Sequence, residues 1–206
     1  MQLANALYPL VEDAEPLQEI LHEFQSQFQI KYNAMVGEKI GLSNVTSADN
    51  ELLANLEETL QLIETDMTIF FRLIAGVPKS PPAEGEEDAL AIVTDAFYRP
   101  AELTGDVMAS WRNWFRNYQV RLNQTEHSDA DRAAKMNRVN PKYVLRNYMA
   151  QLAIDKATAG DVTLIDKLYQ LLKQPYDDQP NSEKWFAKRP EWARNKVGCS
   201  MLSCSS

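Results

Sequence analysis

The stretch that decides the fold is residues 140–173, which read NPKYVLRNYMAQLAIDKATAGDVTLIDKLYQLLK. Asn140 and Pro141 predict an N-cap followed by proline at the first helical position, a pairing typical of a helix start. Gly160 predicts the end of that helix, because glycine readily adopts the left-handed conformation found there. Asp161 predicts the cap of one more helix, so two helices joined by a short turn are expected here.

The segments before this stretch show the same helical periodicity. Apolar residues recur at spacings of three, four and seven over residues 15–35, and again over 52–63 after acidic residues that suit a first helical turn. Residues 76–85 are rich in proline and glycine, which predicts an exposed loop. No strand-length run of alternating residues appears, so the predicted fold class is all-α. Further helices are expected at residues 3–10, 66–75, 86–97, 104–122 and 128–139.

The balance of charge bears on the possible partners. The chain has 21 Lys and Arg against 29 Asp and Glu, a net charge of −8, which would repel a phosphate backbone, so nucleic acid is not an expected partner. No apolar run approaches the roughly 20 residues of a membrane span, and the chain begins without a secretory pattern. No membrane partner and a cytoplasmic location are therefore expected.

The last part of the chain differs in composition from the rest. Residues 1–175 are expected to form a helical scaffold, and residues 176–206 an extended tail whose last residues are mobile. Trp185, Phe186 and Trp192 are expected to pin this tail to the surface. Residues 181–206 carry a net charge of +3, whereas residues 49–106 carry −10. The tail is therefore expected to lie on an acidic surface of its own protein.

Several kinds of chemistry find no support in the sequence. The glycines are isolated from one another, so they form no phosphate-binding loop. His22 and His127 are far apart and lack the spacing of a ligand pair, which makes surface histidines the preferred interpretation. The neighbouring carboxylates of Asp177 and Asp178 lie in a predicted loop, where solubility is a commoner role than metal binding. No metal or cofactor is expected to bind this chain alone.

Two groups of residues remain as candidates. Arg146, Asn147 and Gln151 accompany a strongly apolar segment, and we favour buried hydrogen bonds that join helices over contact with a substrate. Cys199 and Cys204 lie at the end of the chain, where an exposed thiol near basic residues can form a disulfide on demand. Two cysteines without a role in a disordered tail explain the same pattern equally well.

Several stretches, in order, resemble the carboxyl-terminal half of the selenoprotein O family. Residues 3–7 resemble a helix that follows the family's catalytic loops, and residues 66–72 resemble an Asp-x-Thr-x-x-Phe-Arg segment. Trp114, Tyr118, Arg121 and Leu122 are similar to a Trp-x-x-x-Tyr-x-x-Arg-Leu helix. Residues 140–151, with Asn140, Pro141, Arg146, Asn147 and Gln151, match the most specific signature, and Gln174-Pro175-Tyr176 and Cys204-Ser205-Ser206 resemble the segments near the family's end.

This resemblance implies more than the residues show by themselves. It implies the helical carboxyl-terminal part of the larger lobe of a protein-kinase-like fold, in a family that transfers AMP from ATP to hydroxyl groups of proteins with Mg²⁺ or Mn²⁺. The family's catalytic, ATP-binding and metal-binding residues lie upstream, so no residue of this chain is expected to take those roles. The implied partners are the missing amino-terminal half and protein substrates, and a eukaryotic member would be mitochondrial.

The same resemblance implies redox control by the terminal cysteine. Cys204 is expected to form a reversible disulfide with a thiol of the missing half, and a bridge between Cys199 and Cys204 is the alternative. The chain alone is expected to be inactive. A stand-alone helical module that binds a partner protein is the rival function, and a thiol oxidoreductase is a weaker one because Cys-x-x-Cys spacing is absent.

Overall fold

The computed structural model describes residues 2–80, 88–196 and 199, without the side chain of Ala4. Within these residues no β-strand occurs, and one isolated antiparallel bridge joins Thr65 to Phe97. The prediction of an all-α fold is therefore confirmed. The helices are α1 (Gln2–Val11), α2 (Glu15–Lys39), α3 (Asn50–Leu60), α4 (Met67–Leu73), α5 (Ala89–Val93), α6 (Gly105–Leu122), α7 (Asp129–Val139), α8 (Asn147–Thr158) and α9 (Thr163–Lys173).

The main core is built around α6. Its aromatic residues recur at helical spacing, so Trp111, Trp114, Phe115 and Tyr118 lie on one buried face. Trp111 is fully buried, with its ring centroid 5.4 Å from that of Phe70 in α4. The prediction that this aromatic stripe forms core rather than a ligand site agrees with its burial. Apolar residues of α3, α4, α5 and the end of α2 complete this core.

Local caps and one ion pair fix the start of α3. The side chain of Thr46 accepts a hydrogen bond from the backbone, and the Asp49 carboxylate accepts one from the Thr46 N–H, so the chain turns into the helix through a capping box. Asp49 also pairs with Arg121 of α6. Burial alone would raise the pKa of the Asp49 carboxyl, but hydrogen bonds from Arg121 and Thr46 outweigh it and hold that pKa below its ordinary value.

A second core lies between α8, α9 and the segment that follows them. Met149, Leu168 and Ala193 are buried in it, and the half-buried side chain of Phe186 packs against both cores. Short 3₁₀ turns form at Pro180–Trp185 and Glu191–Ala193, so this part of the tail is folded against the helices. Trp185 and Phe186 are half-buried as anchors, whereas Trp192 is 48% exposed.

One predicted helix boundary is wrong, and one predicted loop is not exposed throughout. Asn140 does not open a helix: its backbone N–H donates to Met136, so it closes α7, and Pro141 follows as a helix stop. Residues 141–146 are not helical, and α8 begins at Asn147. The loop predicted at residues 76–85 is also not exposed throughout, because Val77 is fully buried; residues 81–85 lie outside the described part of the chain.

Candidate functional site

The most exposed apolar surface lies on α1 and the first turns of α2. Among described side chains of residues 2–31, only Leu17 and Leu21 are half-buried and all others are exposed. Leu10 is 82% exposed and Phe24 is 67% exposed. In the described part of the chain, none of the helices is long and apolar enough to cross a membrane. We call this surface the open face, and we define it as Leu3, Leu7, Leu10, Ile20, Phe24 and Phe28.

The open face is ordered along two helices. Leu3, Leu7 and Leu10 recur at helical spacing in α1, and Ile20, Phe24 and Phe28 do so in α2. The rings of Phe24 and Phe28 lie 6.2 Å apart. Exposed apolar residues that line one face of a helix are typical of an interaction surface. The periodicity therefore predicts the helices correctly, but these apolar residues do not face a core within the described chain.

A buried ion pair joins the two cores. Asp66 caps α4 by accepting a hydrogen bond from the Ile69 N–H at 3.1 Å. The Arg146 guanidinium donates two hydrogen bonds to the same carboxylate, one of them at 2.9 Å to Oδ1. The Asp66 side chain is 3% exposed and that of Arg146 is 15% exposed. This bidentate geometry holds the start of α8 against the start of α4.

The tail is attached through the same polar cluster. The Tyr98 hydroxyl donates to Asp66 at 3.2 Å and accepts a hydrogen bond from the Arg189 N–H at 3.1 Å. Burial raises the pKa of Tyr98 above its ordinary value, which keeps the hydroxyl a neutral donor. Arg189 and Arg194 both pair with Glu64, at 2.9 and 2.7 Å. We call Glu64, Asp66, Tyr98, Arg146, Arg189 and Arg194 the polar junction.

Glu64 carries one electrostatic attachment of the tail, through Arg189 and Arg194. A hydrogen bond from Arg194 is the main cause that lowers the pKa of its carboxyl, and the charge of Arg189 acts in the same direction. A lowered pKa means that the folded state favours the carboxylate. This attachment is therefore complete above the ordinary pKa of the carboxyl. It is lost as the pH falls through the lowered pKa of the folded state. The expectation that the basic tail lies on an acidic surface agrees with these contacts.

The other residues singled out from the sequence take different positions. Asn140 is buried and joins α7 to α2, accepting from the Lys39 ammonium at 3.2 Å and donating to the Lys39 carbonyl at 2.7 Å. Gln151 donates to Asp155 one turn along the same helix. This bond lies within one helix, whereas a bond between two helices was expected. Asn147 is half-buried at the start of α8.

The two cysteines differ in what the structure describes. Cys199 is buried in the second core, 5% exposed, and its N–H donates to the Lys196 carbonyl at 3.0 Å. The expectation of an exposed thiol is therefore wrong for Cys199, because Tyr143, Met149 and Ala193 belong to the core that encloses it. Cys204 lies outside the described residues, as does the end of the tail that was expected to be mobile.

The acidic side chains of the described residues were candidates for metal binding. No group of three or more His, Cys, Asp or Glu side chains in the described part is arranged to hold a metal ion. Asp178 pairs with Lys142 at 2.9 Å and with Arg72 at 3.4 Å, so it serves as an ion-pair partner. The polar junction and the open face were missed as units from the sequence. The one signal for the polar junction was that Asp66 and Arg146 both lie in the segments that carry the family resemblance.

Comparison with known proteins points to one family. Residues 1–173 match the family model described as protein adenylyltransferase SelO. The chain is 53% identical over 205 residues to a protein of Flavobacterium johnsoniae named "Protein nucleotidyltransferase YdiU". Proteins of the same name from Rhodopirellula baltica and Nitrosospira multiformis are 46% and 40% identical over 212 and 225 residues.

These matches cover the chain and only part of each relative. They include 100%, 99% and 100% of this chain, but 39%, 39% and 40% of the three relatives. The chain thus spans about two fifths of the length of these curated relatives. Because the family model matches more than half of the chain, this protein belongs to the SelO family of protein adenylyltransferases.

Proposed function

We propose that this chain is the helical scaffold of a protein adenylyltransferase and works only together with the rest of the family protein. In this proposal the chain belongs to the larger lobe of a kinase-like fold, towards the carboxyl end, as the family resemblance implies. In this proposal the other part binds ATP with Mg²⁺ or Mn²⁺ and transfers AMP to hydroxyl groups of protein substrates. The expected cytoplasmic location stays a prediction.

The open face is the observation that carries this proposal. Apolar side chains such as Phe24 and Leu10 remain in contact with water unless another surface covers them. About three fifths of the length of the Flavobacterium relative lies outside the part that this chain matches, and that part is the partner we propose for the open face. We infer that the open face packs against that remaining part of the protein and helps to hold it in place.

The test is binding of ATP with Mg²⁺, measured by calorimetry. We expect no tight binding by the 206-residue chain alone, and binding when it is coexpressed with the remaining part of the Flavobacterium relative. A Phe24→Asp/Phe28→Asp variant should weaken the association of this chain with that remaining part at least about a hundredfold. Buried aromatic anchors carry much of the energy of an interface.

Ile165→Asp supplies the matched control, because Ile165 is an exposed apolar residue on α9. It should assemble like the unaltered chain. If the two variants assemble equally well, the open face is not the interface. If the chain instead binds an unrelated protein through the open face and never its family counterpart, the rival function of a stand-alone interaction module is favoured.

The redox role belongs to the same proposal and rests on Cys204. Burial of Cys199 in the second core leaves Cys204 as the better candidate for a disulfide with a thiol elsewhere in the assembled protein. The bridge between Cys199 and Cys204 is disfavoured, since it would require Cys199 to leave its core contacts.

In the assembled protein, Cys204→Ser should remove the difference in AMP transfer between oxidising and reducing conditions, since the thiol that forms the proposed bridge is lost. Cys199→Ser should keep that difference. The measurement is AMP incorporation into a protein substrate after treatment with oxidised or reduced glutathione. An unchanged redox response in Cys204→Ser would contradict the proposal.

A further inference from the structure

An open cavity of about 630 Å³ lies between the end of α2, the following turn and α7. Arg132, Lys135 and Arg138 recur along α7 at steps of three residues, and all three line the cavity together with His127. Glu38 is the one carboxylate among the lining residues. The lining also has an apolar part, which we call the apolar wall and which consists of Ala34, Leu42 and Val45.

Arg132 is the buried member of this basic group. It is 1% exposed, and its guanidinium donates to the Tyr118 hydroxyl at 3.3 Å, to Asp129 at 3.1 Å and to the Val77 carbonyl. Its Nε has no hydrogen-bond partner among the described residues. A buried donor without an acceptor is unfavourable, and Arg132 is among the residues that line the cavity.

The backbone at Gly41 allows this arrangement. Gly41 has φ +76, and a Cβ at this position would lie 2.7 Å from Cγ of Arg132 and 2.7 Å from the sulfur of Met136. Only glycine therefore fits the turn while Arg132 stays in place. The turn from α2 brings Leu42 and Val45 into the lining of the cavity beside α7.

The exposed basic residues have donors that are not used. The Lys135 ammonium donates one hydrogen bond to Nε2 of His127 at 2.8 Å, which leaves its other two N–H groups for a ligand. Within the described part of the chain, no carboxylate forms an ion pair with Lys135 or Arg138. An anion in the cavity would neutralise this group and accept hydrogen bonds from several donors at once.

We propose that this cavity binds the phosphate group of a small phosphate-bearing ligand. Lys135, Arg138 and His127 contact the phosphate at the mouth of the cavity, and the apolar wall packs against the body of the ligand. Phosphate is favoured over carboxylate because it offers more acceptor oxygens to a group of several donors.

Calorimetric titration of the 206-residue chain tests the proposal with three probes: inorganic phosphate, phenyl phosphate and benzoate. We expect phenyl phosphate to bind most tightly, since it offers both the phosphate and an apolar body, and benzoate most weakly. Lys135→Gln/Arg138→Gln should weaken binding of phenyl phosphate at least about tenfold, because two charge-assisted hydrogen bonds are lost. Both positions are exposed, so the fold is retained.

The matched control is Lys167→Gln/Lys173→Gln, which removes the same charge from α9. It should leave binding of phenyl phosphate unchanged. Equal weakening by both double variants would overturn the proposal, as would equal affinity for benzoate and phenyl phosphate. If the chain alone binds ATP and Lys135→Gln/Arg138→Gln removes this binding, the ATP binds in this cavity. If the binding survives in that variant, the result argues against the proposed function.

Discussion

Trp111→Ala is expected to lower the free energy of unfolding by about 3–5 kcal/mol, the range for removing a large aromatic side chain from a core. Trp111 is fully buried, and its ring packs against those of Phe70, Phe97 and Phe115. Alanine would leave a cavity that these rings cannot fill without leaving their packed positions. Urea denaturation followed by circular dichroism measures the loss.

Trp192→Ala is the matched control for this experiment. Trp192 is 48% exposed and contacts Tyr148 edge to face, with centroids 6.3 Å apart, so its removal should cost only about 1 kcal/mol. Trp111→Phe should cost less than Trp111→Ala, because it keeps a ring and removes an indole N–H that has no partner among the described residues. Equal losses for Trp111→Ala and Trp192→Ala would show that α6 is not the centre of the core.

Asp66→Ala is expected to lower the free energy of unfolding by about 3–5 kcal/mol, since it leaves the half-buried charge of Arg146 without its partner. The same change removes the cap of α4 and the acceptor for the Tyr98 hydroxyl. Asp66→Asn should be milder, because its side-chain oxygen still accepts the hydrogen bond from Ile69. Urea denaturation again supplies the measurement.

A double-mutant cycle separates the ion pair from other effects. Asp66→Ala/Arg146→Ala should cost clearly less than the sum of the two single variants, because neither charge then remains buried alone. Glu102→Ala is the matched control: Glu102 pairs with Arg99, both are more than half exposed, and its loss should change stability by about 0.5 kcal/mol or less. Additive losses at Asp66 and Arg146 would show that the two residues act independently.

Many of the helices could be predicted from the sequence because their signals are local. The apolar spacing in α2 and α6, and the turn at Gly160, depend on residues within a few positions of one another. Gly160 has φ +86, the left-handed conformation expected at the end of a helix. The aromatic stripe of α6 also identified core residues, because large apolar side chains on one face of a helix need a partner surface.

The boundary at Asn140 shows where local signals fail. Asparagine followed by proline suits the start of one helix and equally the end of another, and only the contact with α2 decides between them. Here Asn140 closes α7, because its side chain reaches the backbone of Lys39, 101 residues away in sequence. Proline then suits the non-helical segment that leads to Arg146.

The sequence by itself determined the helical class and the family of this protein, because periodicity and short signatures are written in neighbouring residues. Only the tertiary structure decided that Asp66 meets Arg146 across 80 residues, that Cys199 is buried, and that Phe24 remains exposed. Those outcomes depend on which surfaces meet when the helices pack. An amphipathic helix has the same pattern whether its apolar face meets its own core or another part of the protein.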